Sequence, residues 1–364
     1  MIRYLETGEK AICRSLWEEA FPEDSREFGD YYFAEKMRDN RVLVLEEEGR
    51  IASMLHQNPY RLRVRDQIWQ SDYIVGVATA EDRRHRGYMR RLLNRMMREM
   101  WEEQMPFCYL MPADEAIYRP FGFVYIFDQP KWRLKEKETL TVRPLLPWTD
   151  SAGANRCLAA LADWMDRWLD NRYEVYAVRD EAYLRRLLKE LESEDGTFDV
   201  LYDGDAMAGV RCEWGQGRRE PRLLMVNPQY MEEMSPAKPA IMARIICMEQ
   251  FVKAVRLRGG VKAETLRILL KVEDPLIAEN DGLWYWNLNR EMSWLERYGQ
   301  AVGTEGTLMS AASLHADGNK PEPDIQITIG ELTGWLFGYC VPEAAGKYGE
   351  LVETLDGVFL DEVV

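Results

Sequence analysis

The chain has 364 residues, 46% hydrophobic and 30% charged, and its 47 Lys and Arg against 62 Asp and Glu leave a net charge of −15. That much apolar material can build two or three domains, each with its own core, which excludes a disordered tail or a small disulfide scaffold. No apolar run nears the roughly 20 residues of a membrane span, the opening MIRYLETGEKAICRSLW is broken by charges where a signal peptide would be apolar, and an acidic surface repels phosphate backbones, so the expectation is a cytoplasmic protein that binds neither membrane nor nucleic acid.

In chain order, residues 8–37 read as mainly helical, and RVLVLEEEGRIASMLHQ (41–57) places two apolar runs around a charged turn, the pattern of an antiparallel hairpin. A strand at 73–79 then runs through a polar loop into a helix. There Met89, Leu92, Leu93, Met96, Met97, Met100 and Trp101 follow helical spacing and mark one face as core. Pro106 ends that helix, PFCYLMP supplies a strand, and AIYRPFGFVYIF reads as a helical turn, a Gly-centred break and a strand. Residues 1–131 therefore read as a mixed α/β domain, and the charged, proline-containing stretch 132–150 as a crossover.

Beyond it come a Trp-bearing helix (157–169), an amphipathic helix (181–191) and a hairpin (198–202 with 206–214) turning at Asp203-Gly204-Asp205. This middle unit has the outline of the first without its Arg-Gly loop. Residues 241–364 read as a strand entering a helix (IMARIICMEQFVKAVRL), strands at 265–272 and 283–289, a Gly-rich loop at 299–323, a strand at 325–328 and a helix at 329–338.

Six cysteines at 13, 108, 157, 212, 247 and 340 form no close pair, which argues against zinc and against a disulfide framework. With only His56, His85 and His315, a histidine-rich metal site is unattainable, so no metal is expected. His56 on a strand and the Trp164/Trp168 pair read as structural, and His315 as a surface residue.

The informative segment is Val77-Ala78-Thr79-Ala80-Glu81-Asp82-Arg83-Arg84-His85-Arg86-Gly87-Tyr88-Met89. A strand feeding a loop that opens a helix gathers unpaired amides and the positive end of the helix dipole, and Gly87 allows a ligand to approach the backbone. Seven arginines (83, 84, 86, 90, 91, 95, 98) lie within sixteen positions, which suggests a ligand with several phosphates; a solvated helix face is the other reading.

Arg84-His85-Arg86-Gly87-Tyr88-Met89 resembles the Arg/Gln-x-x-Gly-x-Gly/Ala acetyl-CoA loop of the GNAT N-acetyltransferase superfamily, with Met89 departing from the usual Gly or Ala. Eis-like (enhanced intracellular survival) members carry larger apolar residues there, and Ile117-Tyr118-Arg119-Pro120-Phe121-Gly122-Phe123 is similar to their Ile-Tyr-x-x-Phe-Gly-Phe/Tyr segment. The resemblance implies an α+β chain with a GNAT fold over 1–131, a GNAT-like domain without a cofactor site over 132–240, and a sterol carrier protein type 2-like domain over 241–364.

It further implies acetyl-CoA as co-substrate. The backbone of Val77, Ala78 and Thr79 would pair with the pantetheine arm, Arg84, His85, Arg86, Gly87, Tyr88, Met89 and Arg90 would hold the pyrophosphate, and Ala113 and Asp114 would touch the cofactor, Asp114 through its backbone. By the same resemblance Tyr118 would protonate the departing thiolate, and the C-terminal carboxylate of Val364 would accept the amine's proton, with Asp361 and Glu362 as nearby alternatives.

The acceptor that the resemblance implies is a primary amine, and an acidic surface favours a cationic one: an aminoglycoside, a polyamine or a lysine side chain. Homo-oligomers, often hexamers, are usual in the family. Two rival readings are a catalytically silent acyl-CoA sensor and a carrier whose last domain holds a lipid.

Overall fold

The structure, a computed structural model, describes residues 1–135, 139–149, 151–215, 219–302, 308–310 and 321–362; Val364 and His315 lie outside them. The first segment runs β1 (Ile2–Tyr4), α1 (Arg14–Ala20), α2 (Arg26–Glu35), β2 (Arg41–Glu47), β3 (Arg50–Val64), β4 (Gln67–Thr79), α3 (Tyr88–Glu102), β5 (Phe107–Leu110), α4 (Glu115–Tyr118) and β6 (Val124–Leu134). Ser25 caps α2 by accepting from the Phe28 amide at 2.9 Å.

Helix α3 buries Tyr88, Leu92, Leu93, Met96, Met97 and Met100. Each such aliphatic side chain withdrawn from water contributes about 2 kcal/mol, so this stripe fixes the helix, and with it the preceding loop, on the sheet. Strand β4 starts well before the expected residue 73, because it forms a long ribbon with β3 that pairs as far as Val64 opposite Gln67. Arg61, Arg63 and Asp66 interrupt the apolar pattern, but Leu62 and Val64 alternate with them and are fully buried.

The middle segment runs β7 (Thr141–Pro144), α5 (Ala152–Asp170), β8 (Val175–Ala177), α6 (Glu181–Ser193), β9 (Thr197–Asp203), β10 (Ala206–Trp214) and β11 (Glu220–Val226). Ser151 and Asp180 cap its two helices. Its sheet order β7-β9-β10-β11 repeats β1-β2-β3-β4: a short strand, two helices, then a meander. Where β4 is followed by a loop and α3, however, β11 is followed only by a 3-10 turn at Pro228–Tyr230.

Strand β12 (Met231–Ile245) comes next and inserts between β5 and β6, antiparallel to both. The seam expected at residue 240 thus falls inside a strand of the first sheet. After it come α7 (Met248–Phe251), β13 (Arg256–Leu257), β14 (Thr265–Glu273), β15 (Gly282–Asn289), β16 (Ser293–Arg297), β17 (Gln300–Val302), β18 (Leu308–Ser310), β19 (Ile325–Thr328), α8 (Ile329–Leu336), β20 (Val352–Glu353) and β21 (Val358–Phe359).

The stretch expected as loop, 299–323, contains the β17–β18 pair, whose strands are too short to leave a periodic signal. Helix α8 begins with a Thr328/Glu331 capping box and packs Trp335 edge-on against Trp286, ring centroids 5.8 Å apart. Finally β21 lies parallel to β8, and β8 pairs with β3. One nine-stranded sheet therefore carries strands from all three segments.

Candidate active site

Strands β4 and β5 run parallel with one matched pair, Tyr73 opposite Tyr109. Beyond it β4 continues to Thr79 with no strand of the described residues beside it on the β5 side, the condition for an extended ligand chain to add as a strand. A bulge kinks β4 here, since Val75 faces His56 and Ala78 faces Met54, leaving Gly76 and Val77 opposite one residue. Gly76 has φ +60°, and a Cβ there would lie 2.7 Å from the Trp17 ring and 3.3 Å from His56. The sequence reading missed this glycine; its one signal was a Gly inside a strand pattern.

In the following loop His85 and Gly87 both have positive φ, and no atom lies within 4 Å of where a Gly87 side chain would begin. The backbone amides of residues 85–90 donate to no acceptor among the described residues. The loop is braced from the β2–β3 turn: Arg83 pairs with Glu47 at 3.0 Å and with Glu48, and Tyr88 donates to Glu47 at 2.6 Å. The Tyr88 hydroxyl, with Arg83 and Arg86, holds the Glu47 carboxyl below its ordinary range.

The seven arginines now separate by role. Arg83 and Arg86 pair with Glu47 (3.0 and 3.6 Å), while Arg95 and Arg98 pair with Glu99 (2.8 Å) and Glu102 (3.0 Å) one turn along α3. Arg84, Arg90 and Arg91 have no carboxylate partner among the described residues and remain available to an anion.

A cleft of about 580 Å³ opens at this point, lined by Val77, Ala78, Thr79, Arg84, His85, Arg86, Gly87, Tyr88, Met89 and Arg90 together with Ala20, Phe21, Ile117, Pro120 and Phe121. The last five are walls the sequence reading did not assign, although Ile117, Pro120 and Phe121 stood within the quoted motif; the Arg90 guanidinium lies 5.0 Å over the Phe121 ring. Ala113 and Asp114 stand outside this lining. Asp114 caps α4, its side chain accepting from the Ala116 amide at 2.9 Å.

Tyr118, the last residue of α4, is buried edge-on to Phe123 (6.0 Å), and its hydroxyl makes no hydrogen bond among the described residues. Burial pushes its phenol up to about 12, so it is protonated at neutral pH. The turn after it is braced by β12: Arg244 donates from Nε to the Phe121 carbonyl at 2.6 Å and from Nη2 to Asp274 at 2.6 Å. Gly122 has φ +79°, and a Cβ there would sit 3.1 Å from Ile329 and 3.3 Å from Arg244.

At the other end of the splay Tyr60, Tyr73 and Tyr109 cluster with ring centroids 5.4 to 6.5 Å apart, and Lys36 donates to the Tyr60 hydroxyl at 2.9 Å. Burial raises all three phenols; after it the charge of Glu362 adds to the rise of Tyr60 and Tyr109, and Tyr60 to that of Tyr73. Val364 lies outside the described residues.

His56 shares a hydrogen bond with Tyr32 (2.9 Å) and stacks on Trp17; burial pushes it down to about 3, so it stays neutral. Trp168 is core and donates to the Val226 carbonyl at 3.0 Å. Cys108 is buried in β5, which raises its thiol. Among the described residues no cluster of His, Cys, Asp or Glu could hold a metal ion, and no helix is long and apolar enough to cross a membrane.

Comparison with protein families matches residues 1–126 to the acetyltransferase (GNAT) domain and residues 248–361 to a sterol carrier protein domain. Curated protein sequences return no significant match. Among solved structures, a conserved protein from Enterococcus faecalis V583 described as a probable N-acyltransferase is 14% identical with TM-score 0.71, covering 98% of this chain and 93% of that one. A GCN5-related N-acetyltransferase from Anabaena variabilis ATCC 29413 is 15% identical (TM-score 0.68; 97% and 94% covered), and Eis1 from Mycobacterium abscessus is 12% identical (TM-score 0.66; 100% of both). At these identities the likeness is one of fold.

A splayed β4/β5 pair with an amide-rich loop opening α3 lies in a segment that matches the acetyltransferase model, so the chain carries a GNAT N-acetyltransferase domain. A sterol carrier protein domain matches over residues 248–361, which is the arrangement that the resemblance to Eis-like members implies. The residues fit acetyl-CoA, the co-substrate that the resemblance implies: unpaired amides at 85–90, open space over Gly87, and Arg84 and Arg90 in the cleft lining without a carboxylate partner among the described residues match a pyrophosphate-bearing ligand.

Proposed function

We propose that this chain moves the acetyl group of acetyl-CoA directly onto a primary amine of a cationic acceptor, of the aminoglycoside, polyamine or lysine side-chain class. The amine nitrogen attacks the thioester carbonyl carbon, the carbon–sulfur bond breaks, and the thiolate takes the proton of Tyr118. The nitrogen gives up its own proton to the C-terminal carboxylate of Val364, and proton exchange with solvent resets both groups. The backbone of Val77, Ala78 and Thr79 aligns the pantetheine arm, residues 84–90 hold the pyrophosphate, and Ala113 and Asp114 touch the arm from the β5 side.

The observation that carries this reading is Tyr118: a buried phenol held protonated and free of protein hydrogen bonds among the described residues, which stands behind the cleft lining while its sequence neighbours Ile117 and Pro120 form part of that lining. A neutral phenol can donate to a thiolate whose basicity resembles that of a cysteine. The net charge of −15 favours encounter with cationic acceptors. Cytoplasmic residence and a homo-oligomer belong to the same proposal, the latter read by light scattering.

The test is thiol release from acetyl-CoA with aminoglycosides, polyamines and lysine peptides offered in turn. Amine-dependent release is expected from at least one class. Tight acetyl-CoA binding with no amine acetylated would instead favour a silent sensor.

A further inference from the structure

The wall of the cofactor cleft that carries Phe121 is held from the far part of the chain. Residues 119–121 form one 3-10 turn closed by Gly122, and the carbonyl at the end of such a turn has no partner within it. Arg244 supplies the partner from Nε, while Nη1 donates to the Ile245 carbonyl at 2.9 Å and Nη2 to Asp274 at 2.6 Å. Both side chains of this pair are fully buried. Asp274 opens the turn between β14 and β15; its Oδ1 also accepts from the Leu276 and Ile277 amides, each at 3.1 Å, and its Oδ2 from Asn280 at 3.0 Å. Asn280 in turn donates to the Ile246 carbonyl at 2.9 Å and accepts from the Met248 amide at 3.2 Å. A turn within the sterol carrier protein match is thus tied to the first sheet by a network in which every guanidinium nitrogen and carboxylate oxygen has a partner.

Packing joins the same two places. Ile277 is buried in the cluster that holds Tyr118, Phe121 and Phe123, and a Cβ on Gly330 of α8 would lie 3.3 Å from the Gly122 carbonyl oxygen. Such packing is enough to dock the last segment, and a buried ion pair adds little net stability, because desolvation offsets its attraction. What the guanidinium fork adds is a fixed place for one backbone atom, the Phe121 carbonyl oxygen. That place matters at the cleft. The Phe121 ring lines it, and the guanidinium 5.0 Å over that ring belongs to Arg90, which has no carboxylate partner among the described residues. A cation that rests on a ring face takes its position from the ring.

We infer that Arg244 and Asp274 are positioning residues for the acetyl-CoA cleft: the β14–β15 turn fixes the Phe121 wall and, through that ring, places Arg90 for the pyrophosphate. This rests on the reading of residues 84–90 as the pyrophosphate site. Neither Arg244 nor Asp274 touches the cofactor, and the cleft is incomplete without the last segment.

The test pairs Arg244→Met with Asp274→Asn, which removes both charges together while the new amide still accepts from the Leu276 and Ile277 backbone. Calorimetry gives Kd for acetyl-CoA and for S-acetylpantetheine, which keeps the thioester and the arm but has no pyrophosphate, in the parent, the paired variant, Arg90→Gln and their combination. The paired change is expected to raise Kd for acetyl-CoA about fivefold or more, to leave that for S-acetylpantetheine within about twofold, and to add less than about twofold on top of Arg90→Gln. With Arg90→Gln itself selectively weakened, a parent-like Kd for acetyl-CoA in the paired variant, an equal loss for both ligands, or full additivity would overturn the inference. A parent-like Kd in Arg90→Gln would overturn the pyrophosphate reading of Arg90, and the inference with it. Should the paired variant fail to fold, Phe121→Leu, which alters neither charged group, carries the same comparison: the same selective loss is expected, and a parent-like Kd would sink the inference.

Discussion

The first and middle segments build the same outline, β1-β2-β3-β4 against β7-β9-β10-β11, each with two helices after the first strand, although in the middle segment β8 stands between the helices and joins the larger sheet. They part company at the end of the meander. After β4 the chain makes a positive-φ loop and a fifteen-residue helix whose first amides are unpaired; after β11 it makes one 3-10 turn and leaves. The first arrangement concentrates positive potential on a ligand, whereas the second has no helix end to offer. What differs is some twenty residues of loop and helix: the sheet gives the frame and the loop gives the chemistry, and the middle frame is free to grip the tail through Arg179 and Arg222.

If chemistry is confined to the first frame, Tyr118→Phe should have the largest effect, lowering kcat by about a hundredfold or more with acetyl-CoA affinity intact, because a proton donor typically contributes 10²–10⁴-fold. Equilibrium binding alongside steady-state kinetics separates the two quantities. A Phe variant as fast as the parent would remove Tyr118 from the mechanism. Gly87→Val comes next. A β-branched residue at φ +75° is strained and its methyls would enter the space above the amides, so Kd for acetyl-CoA measured by calorimetry should rise about tenfold or more. An equally bulky change at Asn227, before the middle domain's turn, should leave that Kd unchanged, and a shift there would break the comparison.

A smaller effect concerns stability. His56 is neutral in the folded protein down to about pH 3, while in the unfolded chain it binds a proton below about 6.5. Its contribution is thus complete above about 6.5 and is lost as pH falls toward 3, at up to about 1.4 kcal/mol per pH unit. Urea unfolding at pH 7 and pH 5 should show that loss, and His56→Gln should flatten it. Smallest of all, Arg95→Ala removes an exposed pair with Glu99 and should cost about 0.5 kcal/mol or less with no change in acetyl-CoA binding. A marked loss of affinity would put Arg95 among the phosphate ligands and undo the division of the seven arginines.

The loop, the α3 stripe and the Tyr118 turn were legible because each is local: helical spacing, a positive-φ glycine and a short motif speak within a dozen residues. The pairs of Arg179 with Asp361 and Glu362 were not, since these partners lie 182 and 183 positions away and no local period marks them. For the same reason β12 read only as an apolar strand, with nothing to say that it would lodge between β5 and β6, because alternation reports the face of a strand and never its neighbour. The bulge at Gly76 was hidden differently: it depends on the Trp17 ring lying against the strand, a contact brought by α1.

The insertion of β12 sets the order in which the protein can be made. Residues 107–134 leave the ribosome as two strands that do not pair with each other; the strand that bridges them follows about a hundred residues later, while β8 pairs with the far end of β3 and β21 adds beyond β8 later still. Until then the nascent acetyltransferase domain exposes open strand edges, which are templates for aggregation. Excising it at residue 131 would keep the loop and Tyr118 but make that exposure permanent.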